Sequence, residues 1–230
     1  MPAKQSKQSK NAKMEAASVS PDSLVISYLV LRKAVGIVGI LLPFVVSLGG
    51  FILFSKGIQS SISSYYYTGM RDVFVGSLWT IGFFLYSYKG YDDIDNIVSN
   101  LACVFAVGVS LFPTTPDDPA SLAVRIVGDM HLLFASSFFL ALTYFSLFLF
   151  TRTDSNRHPT REKRKRNIVY KTCAYVMFGC ILLMGIYHFL PNSATSGLDF
   201  YKPVYWLESL AIVTFGISWF TKGGAILADK

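Results

Sequence analysis

Residues 34–54, AVGIVGILLPFVVSLGGFILF, contain no charged side chain and no residue more polar than Ser47. A helix rises about 1.5 Å per residue, so a run of this length reaches across the roughly 30 Å hydrocarbon core of a bilayer. Five further apolar stretches follow, at about 72–88, 97–112, 129–150, 168–190 and 204–220. Of the 230 residues, 52% are hydrophobic and only 15% are charged, well below the quarter expected of a soluble domain. The pattern predicts an all-α polytopic membrane protein, a bundle of six transmembrane helices. Pro43 falls in the middle of the first span, where its missing N–H predicts a kink.

The remaining segments are short. Residues 1–20 are polar and basic, lack the apolar core of a signal peptide, and predict a disordered tail. Ser20-Pro21-Asp22 reads as a helix start, with Ser20 as N-cap. Residues 21–33 are expected either to lie in the headgroup region or to extend the first span, 34–222 to form the membrane domain, and 223–230 a short tail. With the N-terminus cytoplasmic, all but Lys56, Arg71, Arg125 and Lys202 of the 21 Lys and Arg residues fall on the cytoplasmic side. That asymmetry predicts cytoplasmic termini at both ends and an even number of spans.

The same topology gathers ionisable residues on the opposite side. Asp72 opens the second span there, Asp129 and His131 the fourth, His188 closes the fifth, and Glu208 lies about one turn into the sixth. Charge inside hydrocarbon costs about 2.5–3.5 kcal/mol on insertion scales, so such groups need partners or a function. The functional expectation is an outward-facing polar pocket built on Asp72, Asp129, His131, His188 and Glu208. Ser64, Tyr65, Tyr66 and Tyr67 would supply its lid or rim, with Arg71 beside it. The structural alternative leaves Arg71, Asp72, Asp129 and His131 among the headgroups and pairs Glu208 with Arg71, Arg125 or Lys202. The tyrosine run also suits an interfacial aromatic anchor.

Other patterns carry less. Cys173, Met177, Cys180, Met184 and His188 share one face of the fifth span, a spacing that suits helix packing by soft side chains. No HExxH, Cys-x-x-Cys, phosphate-loop or nucleophile-elbow spacing occurs, so no metal or cofactor is expected. The basic hairpin RTDSNRHPTREKRKRN faces the cytoplasm, where it would attract anionic lipids of the bilayer rather than nucleic acid. The acidic group Asp92, Asp93 and Asp95 lies in the other cytoplasmic loop, in position to dock against it.

The block SISSYYYTGMRDVFVGSLWTIGFFLYSYKGYD, then SLFPT, GDMH and a last helix ending SWFTKG, resembles six-span bacterial inner-membrane proteins of no assigned chemistry. Its wider layout is similar to the DRAM/FRAG-type membrane family, with Ser61-Ile62-Ser63, His131 and Glu208 at the corresponding positions. The resemblance spans roughly residues 34–222 and implies a multi-pass protein of the cell membrane, in a family some of whose members are tied to lipid handling. The expected function is to bind or move a small polar solute, ion or lipid headgroup. A metal-assisted lipid hydrolase using the same residues and a purely structural component are the alternatives.

Overall fold

The structure is a computed structural model and describes residues 21–88, 90, 92–116, 121–153 and 159–225. The expected disordered tail, the Ser20 cap, the centre of the basic hairpin and most of the last tail lie outside the described residues. Every regular element among the described residues is helical. In chain order these are α1 (Pro21–Phe54), a 3₁₀ turn (Ser63–Tyr67), α2 (Arg71–Tyr86), α3 (Asp93–Leu111), α4 (Leu122–Tyr144), α5 (Arg161–Phe189), the short α6 (Asn192–Thr195), a second 3₁₀ turn (Asp199–Tyr201) and α7 (Pro203–Lys222).

Five segments are long and apolar enough to cross a membrane: Leu29–Phe54, Asp93–Leu111, Leu122–Leu149, Arg161–Phe189 and Asp199–Lys222. Large side chains such as Phe51, Ile52 and Phe189 lie more than two-thirds exposed on them, a surface suited to lipid rather than water. α2 has 16 residues, about 24 Å of helix, and falls short of that length. Segment 21–33 and the first span form one continuous helix that runs through Pro43.

Helix ends follow local capping rather than the edge of the apolar run. Asp92 accepts the Asp95 N–H at 3.1 Å, Ser121 the Val124 N–H at 3.4 Å and Thr160 the Lys163 N–H at 3.1 Å. Consequently α4 starts at Leu122, not at Asp129, and α5 starts at Arg161, not near residue 168. Hydropathy marks the membrane boundary; a charged, capped turn stays helical beyond it. Asp129 and His131 therefore sit about two turns inside α4 rather than at its mouth.

The helices close a ring, each packing on the next in the order α1, α2, α3, α4, α5, α7 and back to α1. α4 and α7 touch only lightly. The antiparallel α1–α7 pair makes the tightest crossing. A Cβ on Gly36 would meet the Gly216 carbonyl and the Phe220 N at 2.8 Å, and one on Gly216 would meet the Gly36 carbonyl at 2.7 Å. Glycine lets the two backbones approach where apolar burial alone gives little drive for association in lipid.

The two ends of the ring differ. At the basic end, Tyr88, Phe145, Phe150 and Trp219 stack edge to face in a buried cluster. A π-turn at Phe145–Leu149 shifts α4's register, so that the Phe150 N–H reaches the Phe145 carbonyl at 2.9 Å. Arg32 lies over Tyr88, Lys222 over Phe150, and Lys163 donates to the Phe150 carbonyl at 2.8 Å. Arg152 bridges Asp92 at 2.7 Å and the fully buried Asp95 at 3.1 Å, joining the acidic turn to the α4–α5 hairpin. The Asp95 N–H, with Arg152, holds the Asp92 carboxyl below its ordinary range. The other end carries the tyrosine run, the 113–116 loop and the α5–α7 connection, and is described next.

Because the obstacle at the α1–α7 crossing is backbone, it cannot rotate away. Gly36→Ala and Gly216→Ala are each expected to destabilise the protein by about 1–3 kcal/mol, read as a lower thermal midpoint in detergent. Gly179→Ala, with nothing within 4 Å of its added carbon, should leave the midpoint unchanged or raise it.

Candidate functional site

The 60–67 segment folds over the mouth of the ring as a plug. Its turn begins with backbone N–H groups that no intrahelical carbonyl can satisfy. Ser61 Oγ accepts the Ser64 N–H at 2.9 Å. Glu208, from the second turn of α7, supplies the rest: its Oε2 accepts the Ile62 N–H at 2.6 Å and the Ser63 N–H at 3.4 Å. The exchange is reciprocal, since the Tyr205 N–H in the first turn of α7 donates to the Ser60 carbonyl at 3.1 Å. Glu208 is thus held by backbone amides rather than by Arg71, Arg125 or Lys202.

A 3₁₀ helix turns about 120° per residue, so three successive side chains point three ways. Tyr65 points inward and is fully buried, its ring 6.5 Å from that of Tyr205. Tyr66 accepts from Arg71 Nη2 at 2.6 Å beneath the guanidinium. Tyr67 donates to the Thr114 carbonyl at 2.6 Å, tying the plug to the α3–α4 loop. Ser64 bonds Ser60 and Ser61. The run is therefore neither a rim nor a uniform aromatic belt.

Beside the plug, between α4, α5 and α7, lies a cavity of about 660 Å³, within the range of small-molecule sites. Four of the expected residues line it: Asp129, His131, His188 and Glu208. His131 is buried on α4, and its Nδ1 lies 2.6 Å from the Phe112 carbonyl at the end of α3. A carbonyl can only accept, so the proton is assigned to Nδ1, which leaves the lone pair of the neutral ring on Nε2. Asp129 and His188 are exposed. The wall below them is apolar, with Leu132, Ala135, Phe139, Ile181 and Met184.

Six expected site residues do not line this cavity. Asp72 and Arg71 are exposed at the start of α2; Ser64, Tyr65, Tyr66 and Tyr67 belong to the plug. Sequence position alone put Asp72 at the same depth, but α2 lies on the far side of the ring, beyond α1 and α3. Conversely, Ser61, Thr114, Ser136, Tyr187 and Asp199 line the cavity unanticipated. Asp199 accepts a hydrogen bond from the Tyr187 hydroxyl across the α5–α7 connection. Its signal was present: it is the lone carboxylate of the loop Pro191 to Pro203.

The lining therefore presents three carboxylates and two imidazoles and, among the described residues, no Lys or Arg. Among the described residues no three His, Cys, Asp or Glu side chains converge as metal ligands would. The cysteines of the α5 ladder, Cys173 and Cys180, are buried packing residues, and only Met184 and His188 of that face reach the cavity. Comparisons with protein-family models, with curated proteins and with solved structures yield no match.

Glu208 can be tested as an acceptor. Glu208→Gln retains an oxygen for the two amides and should keep the plug docked, with a thermal midpoint close to that of the parent. Glu208→Leu leaves both amides unsatisfied and should cost about 2 kcal/mol or more. It should also speed tryptic cleavage after Lys56, which is exposed already in the folded parent, as the segment that follows it loosens.

Proposed function

We propose that the chain is a six-span protein of the cell membrane, in bacteria the inner membrane, with both termini cytoplasmic. It binds or moves a small polar solute, ion or lipid headgroup through the cavity between α4, α5 and α7. The observation that carries this reading is the meeting of Asp129, His131, His188 and Glu208, from three helices, around one cavity of about 660 Å³. Polar groups at membrane depth belong where they line a water-filled space or meet a partner.

α2 supplies the sixth crossing. The plug that precedes it touches Thr114 at one end of the ring, and Tyr88, just beyond it, packs on Phe150 and Trp219 at the other. A short helix that joins both ends traverses the same thickness as its neighbours, with the mismatch taken up by its flanks. The basic end then faces the cytoplasm, and Arg161, Lys163, Arg164, Lys165 and Arg166 attract anionic lipids. Kinship with the DRAM/FRAG-type layout is supported by one contact, since the Ser-Ile-Ser element and the late Glu meet as Ile62, Ser63 and Glu208. Full docking of the plug by Glu208 favours a second reading, in which that residue is structural.

Thiol labelling tests both topology and pocket. In intact cells an impermeant maleimide should modify Lys56→Cys and spare Arg161→Cys until lysis. Labelling of Arg161→Cys from outside overturns the orientation. Ser136→Cys, whose parent hydroxyl bonds only within its own helix, should react with a small methanethiosulfonate from outside. A site at Ser136 that stays unreactive while Lys56→Cys labels would mean the cavity is closed to solute, and the binding reading fails.

A further inference from the structure

We infer that the cavity takes an organic cation, an ammonium group on an apolar body, with no anionic group beside it. This rests on the proposal that the cavity binds a ligand, and it narrows the class of that ligand.

Charge comes first. Asp129, Asp199 and Glu208 all line the cavity, and no Lys or Arg does among the described residues. Among the described residues, none of the three has a basic nitrogen within ion-pairing distance; the ion pairs are those of Arg152 at the opposite end. Glu208 is held by amides and Asp199 by a phenol. Neutral donors of this kind position an acidic side chain without bringing a positive charge, so among the described residues no fixed cation of the lining offsets its acids. The imidazoles of His131 and His188 add positive charge only when protonated.

The spacing comes second. A bare divalent ion needs several ligands within bonding distance of one point, and these side chains do not converge. Dispersed carboxylates suit a larger cation that carries several N–H donors or a diffuse charge. The walls come third. Leu132, Ala135, Phe139, Ile181 and Met184 would hold an apolar body, and Tyr187 and Phe189 supply aromatic rings at the site, a surface that favours ammonium groups. A phosphate would meet three carboxylates and no basic side chain. A phospholipid headgroup is thereby disfavoured against a free amphiphilic amine.

The test uses the full chain purified in a neutral detergent. Phenethylamine and decylamine are titrated against matched carboxylates (3-phenylpropionate, decanoate) and alcohols (2-phenylethanol, decanol). Binding is read by thermal shift and by protection of Ser136→Cys from the methanethiosulfonate. The amines are expected to raise the midpoint and slow labelling, and the carboxylates to do neither. Asp129→Asn and Asp199→Asn, both exposed in the unliganded protein, should keep its midpoint and weaken amine binding about tenfold or more each. Equal protection by an alcohol or a carboxylate, or unchanged amine affinity in both Asn variants, overturns the inference while leaving a solute-accessible pocket. Protection by phosphatidylethanolamine nanodiscs but not by free amines overturns it in favour of a lipid headgroup. Failure of Ser136→Cys to label at all sinks the pocket reading itself, and the inference with it.

Discussion

One exchange between distant segments holds the plug end of this molecule together. Ser60 offers its carbonyl to the first turn of α7, and Glu208 in the next turn takes the Ile62 and Ser63 amides in return. In water those groups could be hydrated. Buried as Ile62 and Ser63 are, each backbone donor needs a protein partner, and an unsatisfied one costs about 1–3 kcal/mol. A carboxylate near the N-terminus of a short helical turn also meets the favourable end of the peptide dipoles. The plug's position, the burial of Tyr65 and the wall formed by Ser61 all follow from this contact.

The two ends of the ring use charge in opposite ways. At the basic end, charges are satisfied inside the fold: Arg152 closes Asp92 and Asp95 into one unit, and cations lie over the rings of Tyr88 and Phe150. At the plug end, Glu208 and Asp199 take neutral donors, and with Asp129 they line a shared space that, among the described residues, holds no Lys or Arg. Satisfied charge stabilises and orients a structure. The light contact between α4 and α7 is what leaves room for that cavity, because the ring closes through α5 instead.

Much of the helical framework was legible in the residues. Uncharged runs revealed where helices lie, because lipid excludes charge strongly. They did not reveal where helices end: α4 and α5 each begin about two turns early, at Ser121 and Thr160 caps that hydropathy does not register. The tyrosine run misled for a related reason. Read as a belt, its members should share an environment, yet the 3₁₀ turn sends Tyr65 into the core, Tyr66 to Arg71 and Tyr67 to Thr114.

By itself the sequence determined the all-helical class, the apolar segments and the inventory of carboxylates and imidazoles near one set of their ends, since composition and period act along the chain. Tertiary structure alone decided which of those groups face one another. Depth along a helix can be counted from the sequence, but azimuth around a ring depends on neighbour order and on close crossings such as Gly36 against Gly216. Asp72 and Asp199 illustrate the difference. The first has the right depth and the wrong side of the ring. The second sits in an unremarked loop, and the α5–α7 connection carries it to the cavity.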